Sequence, residues 1–125
     1  GAPAADAPVL RDGAPGWLLR HAGNAFQLLL FVDAPESLSA ATRAALAALA
    51  DAPIPVHTLL ISATAGAAPA GTTLLVDAQG LAARRFDARV GTAYLLRPDQ
   101  HVAARWRALD AAAVRTAVAR ATCNA

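Results

Sequence analysis

The side chains best able to do chemistry are few here: one cysteine, three histidines, a handful of hydroxyls and no lysine. Cys123 stands alone, so the chain can form neither an internal disulfide nor a dithiol centre. With no lysine or histidine beside it in sequence to lower its pKa, it reads as a terminal helix residue rather than a reactive thiol. His21, His57 and His101 occur singly, and no pair has the i, i+3 or i, i+4 spacing of a helical metal site. Ser37, Ser39 and Ser62 lie in no G-x-S-x-G elbow, and the first two read as caps. Neither G-x-G-x-x-G nor G-x-x-x-x-G-K-[ST] occurs, so FAD or NAD(P) binding within this segment is not expected. The expected catalytic, cofactor-binding and metal-ligating residue sets are all empty.

One polar cluster has an arrangement of its own, Arg97-Pro98-Asp99. It is either a contact to a partner or a turn in which Asp99 caps its own backbone, and turn chemistry favours the second. The net charge is only +2 and every basic residue is arginine, which a GC-rich genome explains as readily as a need for guanidinium groups. Arg84, Arg85 and Arg89 form one group and Arg105 and Arg107 another, but Asp77, Asp87 and Asp110 are interspersed. A nucleic-acid reader needs a basic stripe with stacking aromatics, and neither is present. No run approaches the roughly 18 apolar residues of a membrane span, and no signal peptide is visible. The expectation is a cytoplasmic protein without nucleic-acid or membrane partners. The chain has no methionine and starts at Gly1, which reads as a piece cut from a longer protein.

The elements that would position these groups follow from patterning. Residues 1–16, rich in Pro, Gly and Asp, read as a linker, and 17–125 as one domain. Trp17, Leu18 and His21 share a short helical face, with Gly23 and Asn24 as left-handed stops. Residues 26–32, FQLLLFV, form a continuous apolar run of strand length, as for a central strand covered on both faces. From Ser39 the chain turns helical, with Thr42, Ala45, Leu46 and Leu49 on one stripe and Pro53 enforcing the stop near Asp51. Strands are expected at 56–62 and 72–76. Asp77-Ala78-Gln79-Gly80 has the form of a type I turn before a short helix at 81–86. Strands at 93–97 and 102–106 form a hairpin in which Val102, Ala104 and Trp106 share a face opposite Arg105. Asp110 caps a last helix with the stripe Val114, Ala117, Val118 and Ala121.

Short helix, β, α, β, β, short helix, β-hairpin, α is the plan of an α/β, thioredoxin-like three-layer sandwich with a mixed central sheet. Thiol chemistry on that plan needs a cysteine at the helix N-terminus after the central strand, where the helix dipole lowers its pKa. That place reads Asp33-Ala34-Pro35-Glu36-Ser37, so the CxxC motif is lacking. No other side chain replaces sulfur in thiol exchange, and a peroxidase of the same fold would need a cysteine there too. The proline that usually precedes the hairpin strand is replaced by Val90-Gly91-Thr92-Ala93.

The opening Gly1-Ala2-Pro3-Ala4-Ala5-Asp6-Ala7-Pro8, the strand at 26–31, the stretch Val76-Asp77-Ala78-Gln79-Gly80-Leu81-Ala82-Ala83-Arg84-Arg85 and the hairpin Tyr94-Leu95-Leu96-Arg97-Pro98-Asp99-Gln100-His101-Val102-Ala103-Ala104-Arg105-Trp106 together resemble one family. It is the C-terminal thioredoxin-like domain of FAD-dependent aromatic-ring hydroxylases of the phenol hydroxylase and hydroxyphenylpropionate hydroxylase group. Gln100 departs from the family turn, which commonly carries glycine, so this turn should be more constrained. The resemblance implies a parent flavin monooxygenase using FAD, NADH or NADPH and dioxygen, with the chemistry outside these residues. It implies a non-catalytic accessory role in stability or dimerisation, with the parent's FAD and substrate domains as partners and a homodimer as a further one. The alternative is a free-standing, redox-inactive thioredoxin-like module that binds proteins.

Overall fold

The computed structural model describes residues 2–123, the side chain of Cys123 excepted, so the thiol expectation falls outside the described residues. Seven strands form one sheet: β1 (Pro8–Arg11), β2 (Ala14–Trp17), β3 (Phe26–Val32), β4 (Val56–Ser62), β5 (Thr72–Val76), β6 (Ala93–Leu96) and β7 (Val102–Trp106). Their order across it is β2-β1-β5-β4-β3-β6-β7. β3, β4 and β5 run parallel, whereas β6 pairs antiparallel with β3 and β7 with β6. A mixed sheet results, as expected. The helices are α1 (Ala40–Ala50), α2 (Leu81–Arg85) and α3 (Ala111–Cys123), with one-turn 3-10 helices at Leu18–His21 and Pro35–Ser37. None is long and apolar enough to cross a membrane.

The apolar run of β3, interrupted only by Gln27, is explained by its two faces. Leu29 and Phe31 enter a core cluster with Leu59, Ile61 and Leu75, against α2 and the N-terminal segment. Leu28, Leu30 and Val32 enter a second cluster with Leu46 and Leu49 of α1 and Val114 and Val118 of α3. Because successive strand side chains alternate, a strand covered on both sides is apolar at nearly every position, with Gln27 the one buried polar residue in β3. Ser39 caps α1 by accepting from Thr42 N at 3.1 Å, and Asp110 caps α3 by accepting from Ala112 N and Ala113 N at 3.0 and 3.2 Å. Each cap satisfies donors that the first helical turn leaves unpaired.

Three local expectations are corrected. The stretch read as a linker contains a β-hairpin, β1–β2, that joins the sheet through Leu10 and Val76. Asp12 and Gly13 both take positive φ, +51° and +80°, the conformation of a two-residue type I′ turn. Pro15 is tolerated because β2 is an edge strand. The first 3-10 helix ends at Ala22 in extended conformation, with no left-handed residue at Gly23 or Asn24. In β7 the register shifts by one between Leu95–Ala104 and Leu96–Val102. This bulge sends Val102 to the first cluster while Ala104 and Trp106 pack in the second, so the three do not share a face. Arg105 lies opposite Trp106, as expected: its guanidinium stands 5.3 Å from the Tyr94 ring centroid and donates to Asp87 O at 2.7 Å.

Candidate functional site

The carboxyl end of β3 is where a thiol would sit on this fold. The chain there passes Asp33 and Ala34 into the 3-10 turn Pro35–Ser37, and Ser37 Oγ donates to Ala34 O at 2.6 Å. Pro35 is buried, and the loop 63–71 rests on it so closely that a Cβ at Gly66 would overlap Pro35 Cγ and Glu36 Oε1. That loop is tied down at its start. Ser62 Oγ donates to Thr64 O at 2.7 Å, and Thr64 Oγ1 donates to Asp33 O at 3.2 Å. The position therefore has neither a sulfur nor room above it for a substrate.

The segment facing it, Thr92, is equally committed. Thr92 is fully buried; its N–H donates to Arg89 O at 2.9 Å and its Oγ1 accepts from Arg89 N at 3.0 Å. Its carbonyl accepts from Phe31 N at 3.0 Å, while Gly91 N donates to Phe31 O at 2.8 Å. Backbone that could otherwise pair with an extended substrate is used inside the domain. A cavity of about 300 Å³ beside this point reaches Asp77 and Ser62. Both oxygens of Asp77 cap α2, accepting from Ala82 N and Ala83 N at 3.0 Å each, so the carboxylate is occupied structurally.

The histidines do not converge on a metal: among the described residues no group of three or more His, Cys, Asp or Glu is placed to hold one. His57 Nε2 lies 2.8 Å from Thr73 Oγ1. Burial, and then the charge of Arg11, lowers the pKa of both His21 and His57. The β3–α1 connection carries a buried proline and a serine cap where a dinucleotide site needs glycines that let pyrophosphate reach a helix N-terminus.

What remains is the β6–β7 turn. Arg97 pairs with Asp99, which also accepts from His101 N at 3.2 Å, and the Arg97 hydrogen bond is the main cause holding the Asp99 carboxyl below its usual range. The turn reading of this cluster thus accounts for its contacts. Gln100 adopts φ +64°, donates from N to Arg97 O at 2.8 Å and from Nε2 to Leu19 O at 2.9 Å. Its position was legible as a departure from glycine; its bond to the first 3-10 helix was not. Beside the turn, a 680 Å³ groove opens between β7 and the C-terminal half of α3, with Arg97 and Arg120 on its rim.

No curated protein matches the chain. Among solved structures, the flavin-dependent monooxygenase PieE, in complex with FAD and substrate, superposes with TM-score 0.66 at 28% identity over 96% of this chain and 19% of its own. Aklavinone-11 hydroxylase, with FAD and aklavinone, gives TM-score 0.61 and 26% identity over 89% of this chain and 18% of its own. The chain thus spans about a fifth of the length of these monooxygenases. ScoI of Arabidopsis thaliana shares the fold alone, with TM-score 0.73 at 14% identity over 99% of this chain and 100% of its own. The family model of the HcaD C-terminal domain matches residues 10–121, and with its thioredoxin-like sandwich and its likeness to the end of flavin monooxygenases the chain belongs to that family.

Proposed function

We propose that this chain is the non-catalytic C-terminal accessory domain of an FAD- and NAD(P)H-dependent aromatic hydroxylase, working in the cytoplasm. Its role there is to stabilise the enzyme and help hold its subunits together. The observation that carries this reading is the coverage: nearly the whole chain corresponds to a small part of much longer FAD-bound monooxygenases. The sealed position at Pro35 supports the non-catalytic half of the reading, since the one place where this fold does thiol chemistry is filled by proline and loop. The flavin and the reacting ring belong to the rest of the larger protein, whose FAD and substrate domains are the partners of this one.

The test is to remove residues 1–125 from the full-length enzyme. Soluble yield, melting temperature or oligomeric state should fall, while surviving protein keeps bound flavin and most of its turnover per flavin. An equally stable oligomer whose hydroxylation rate alone collapsed would overturn the accessory role.

A further inference from the structure

Residues 2–7 run past the outside of the β6–β7 hairpin before they join β1. Ala2 O accepts from Val102 N at 2.9 Å, and Ala4 N donates to Gln100 O at 3.0 Å, so Pro3 and His101 form an antiparallel bridge. This strap covers only the start of β7, which is the edge of the sheet. It also anchors Ala2 against Val102, which forms part of the wall of the 680 Å³ groove. Ala2 is therefore held beside one end of that groove.

The groove suits a particular occupant. Its walls carry Ala103 and Ala104 from β7 and Ala117 and Ala121 from α3, small side chains that let another segment approach closely. An edge strand leaves backbone groups free for pairing beyond the point where the strap ends. On the rim, Arg97 is already paired with Asp99, whereas Arg120 has no carboxylate partner among the described residues. Two guanidinium groups against one carboxylate leave a positive edge on an apolar floor. A complementary surface is apolar and carries at least one acid.

We propose that the groove between β7 and the C-terminal half of α3 seats an apolar, carboxylate-bearing segment of the flavin-binding part of the same, longer chain. This rests on the accessory-domain reading above. The strap holds Ala2 beside the groove that receives this segment. The interface should fall in the range of about 600 to 1,500 Å² typical between domains of one chain.

Hydrogen exchange tests it, comparing the full-length protein with the 125-residue chain alone. Backbone amides of 103–106 and 117–122 should exchange about tenfold or more slowly in the full-length protein. Arg120→Glu and Ala103→Glu, both at exposed positions, should remove that difference, whereas Arg43→Glu on α1 makes a comparable charge change and should leave it. Equal exchange of these amides in the two proteins would overturn the proposal while leaving the accessory reading intact. Absence of any flavin-binding domain from the full-length protein would overturn both. Concentration-dependent protection in the 125-residue chain, with a dimer by light scattering, would assign the groove to a second copy instead. Protection that disappears from the 125-residue chain on removing 123–125 would assign it to the chain's own end; either result overturns the proposal.

Discussion

Gln100 Nε2 donates to Leu19 O at 2.9 Å, joining the β6–β7 turn to a helix 81 residues earlier. The bond is made from a left-handed backbone, φ +64°, that costs a non-glycine residue roughly 1–2 kcal/mol. A glycine would remove that cost and the bond together.

Two substitutions separate the effects. Gln100→Ala keeps the backbone cost and loses a hydrogen bond worth about 0.5–1.5 kcal/mol net, so it should destabilise. Gln100→Gly loses the same bond but relieves the backbone, and should lie above the alanine variant by about 1 kcal/mol. Denaturant melts check the order. An alanine variant as stable as the parent would show that the tie to Leu19 contributes nothing.

The hairpin offers a second comparison. Leu95 is fully buried, whereas Trp106 is only half-buried because the sheet ends at β7. Leu95→Ala should cost about 2–5 kcal/mol, the range for truncating a well-packed core leucine, and Trp106→Ala should cost less. Arg105→Ala removes an exposed bond to Asp87 and the stacking on Tyr94, and should cost about 1 kcal/mol or less. Melts with Trp106 as the most sensitive of the three would contradict its half-buried place at the edge of the sheet.

Much of this architecture was legible because periodicity and packing agree. The nearly all-apolar β3 announced a two-sided strand, and Ser39 and Asp110 announced their helices. The β1–β2 hairpin was missed because Pro8, Pro15 and Gly16 outweighed a short-range signal, Asp12-Gly13, that specifies a two-residue turn. Pro15 is compatible with a strand only at a sheet edge, and edge position is a tertiary fact. The bulge in β7 was hidden for a similar reason: alternation read from sequence assumes an unbroken register, which one extra residue inverts. At the site, the missing cysteine could be read directly. The loop that seals Pro35 could not, since Gly66 meets it only through the fold.

Sealing at Pro35 makes its own prediction. The 125-residue chain should neither reduce insulin nor consume peroxide, and Pro35→Cys should not create either activity, because loop 63–71 covers the position. A reactive thiol in Pro35→Cys, detected by rapid labelling with a maleimide, would mean that the loop opens readily. Turnover in the parent protein that vanishes in Cys123→Ser would overturn the redox-inactive reading altogether.

The two partly buried histidines predict how stability responds to acid. Burial and Arg11 lower the pKa of both His21 and His57 from the ordinary 6.5, so folding favours their neutral forms. Below about 6.5 the unfolded chain takes up protons that the folded chain resists, and stability falls as pH drops from there toward the folded values. Well above it both states are neutral at these positions, so the histidines' slope fades out as pH approaches 8. His57 also holds Thr73 through Nε2 at 2.8 Å, so His57→Gln keeps a polar partner while removing one titrating group. Melting midpoints across pH 5 to 8 should therefore decline less steeply on the acid side in His57→Gln than in the parent chain. Asp99 works on a different part of the curve: its lowered carboxyl contributes stability above its unfolded value and loses it only at stronger acid, so it does not mask the histidine limb. An acid limb unchanged in both His57→Gln and His21→Gln would show that neither ring is held neutral by the fold.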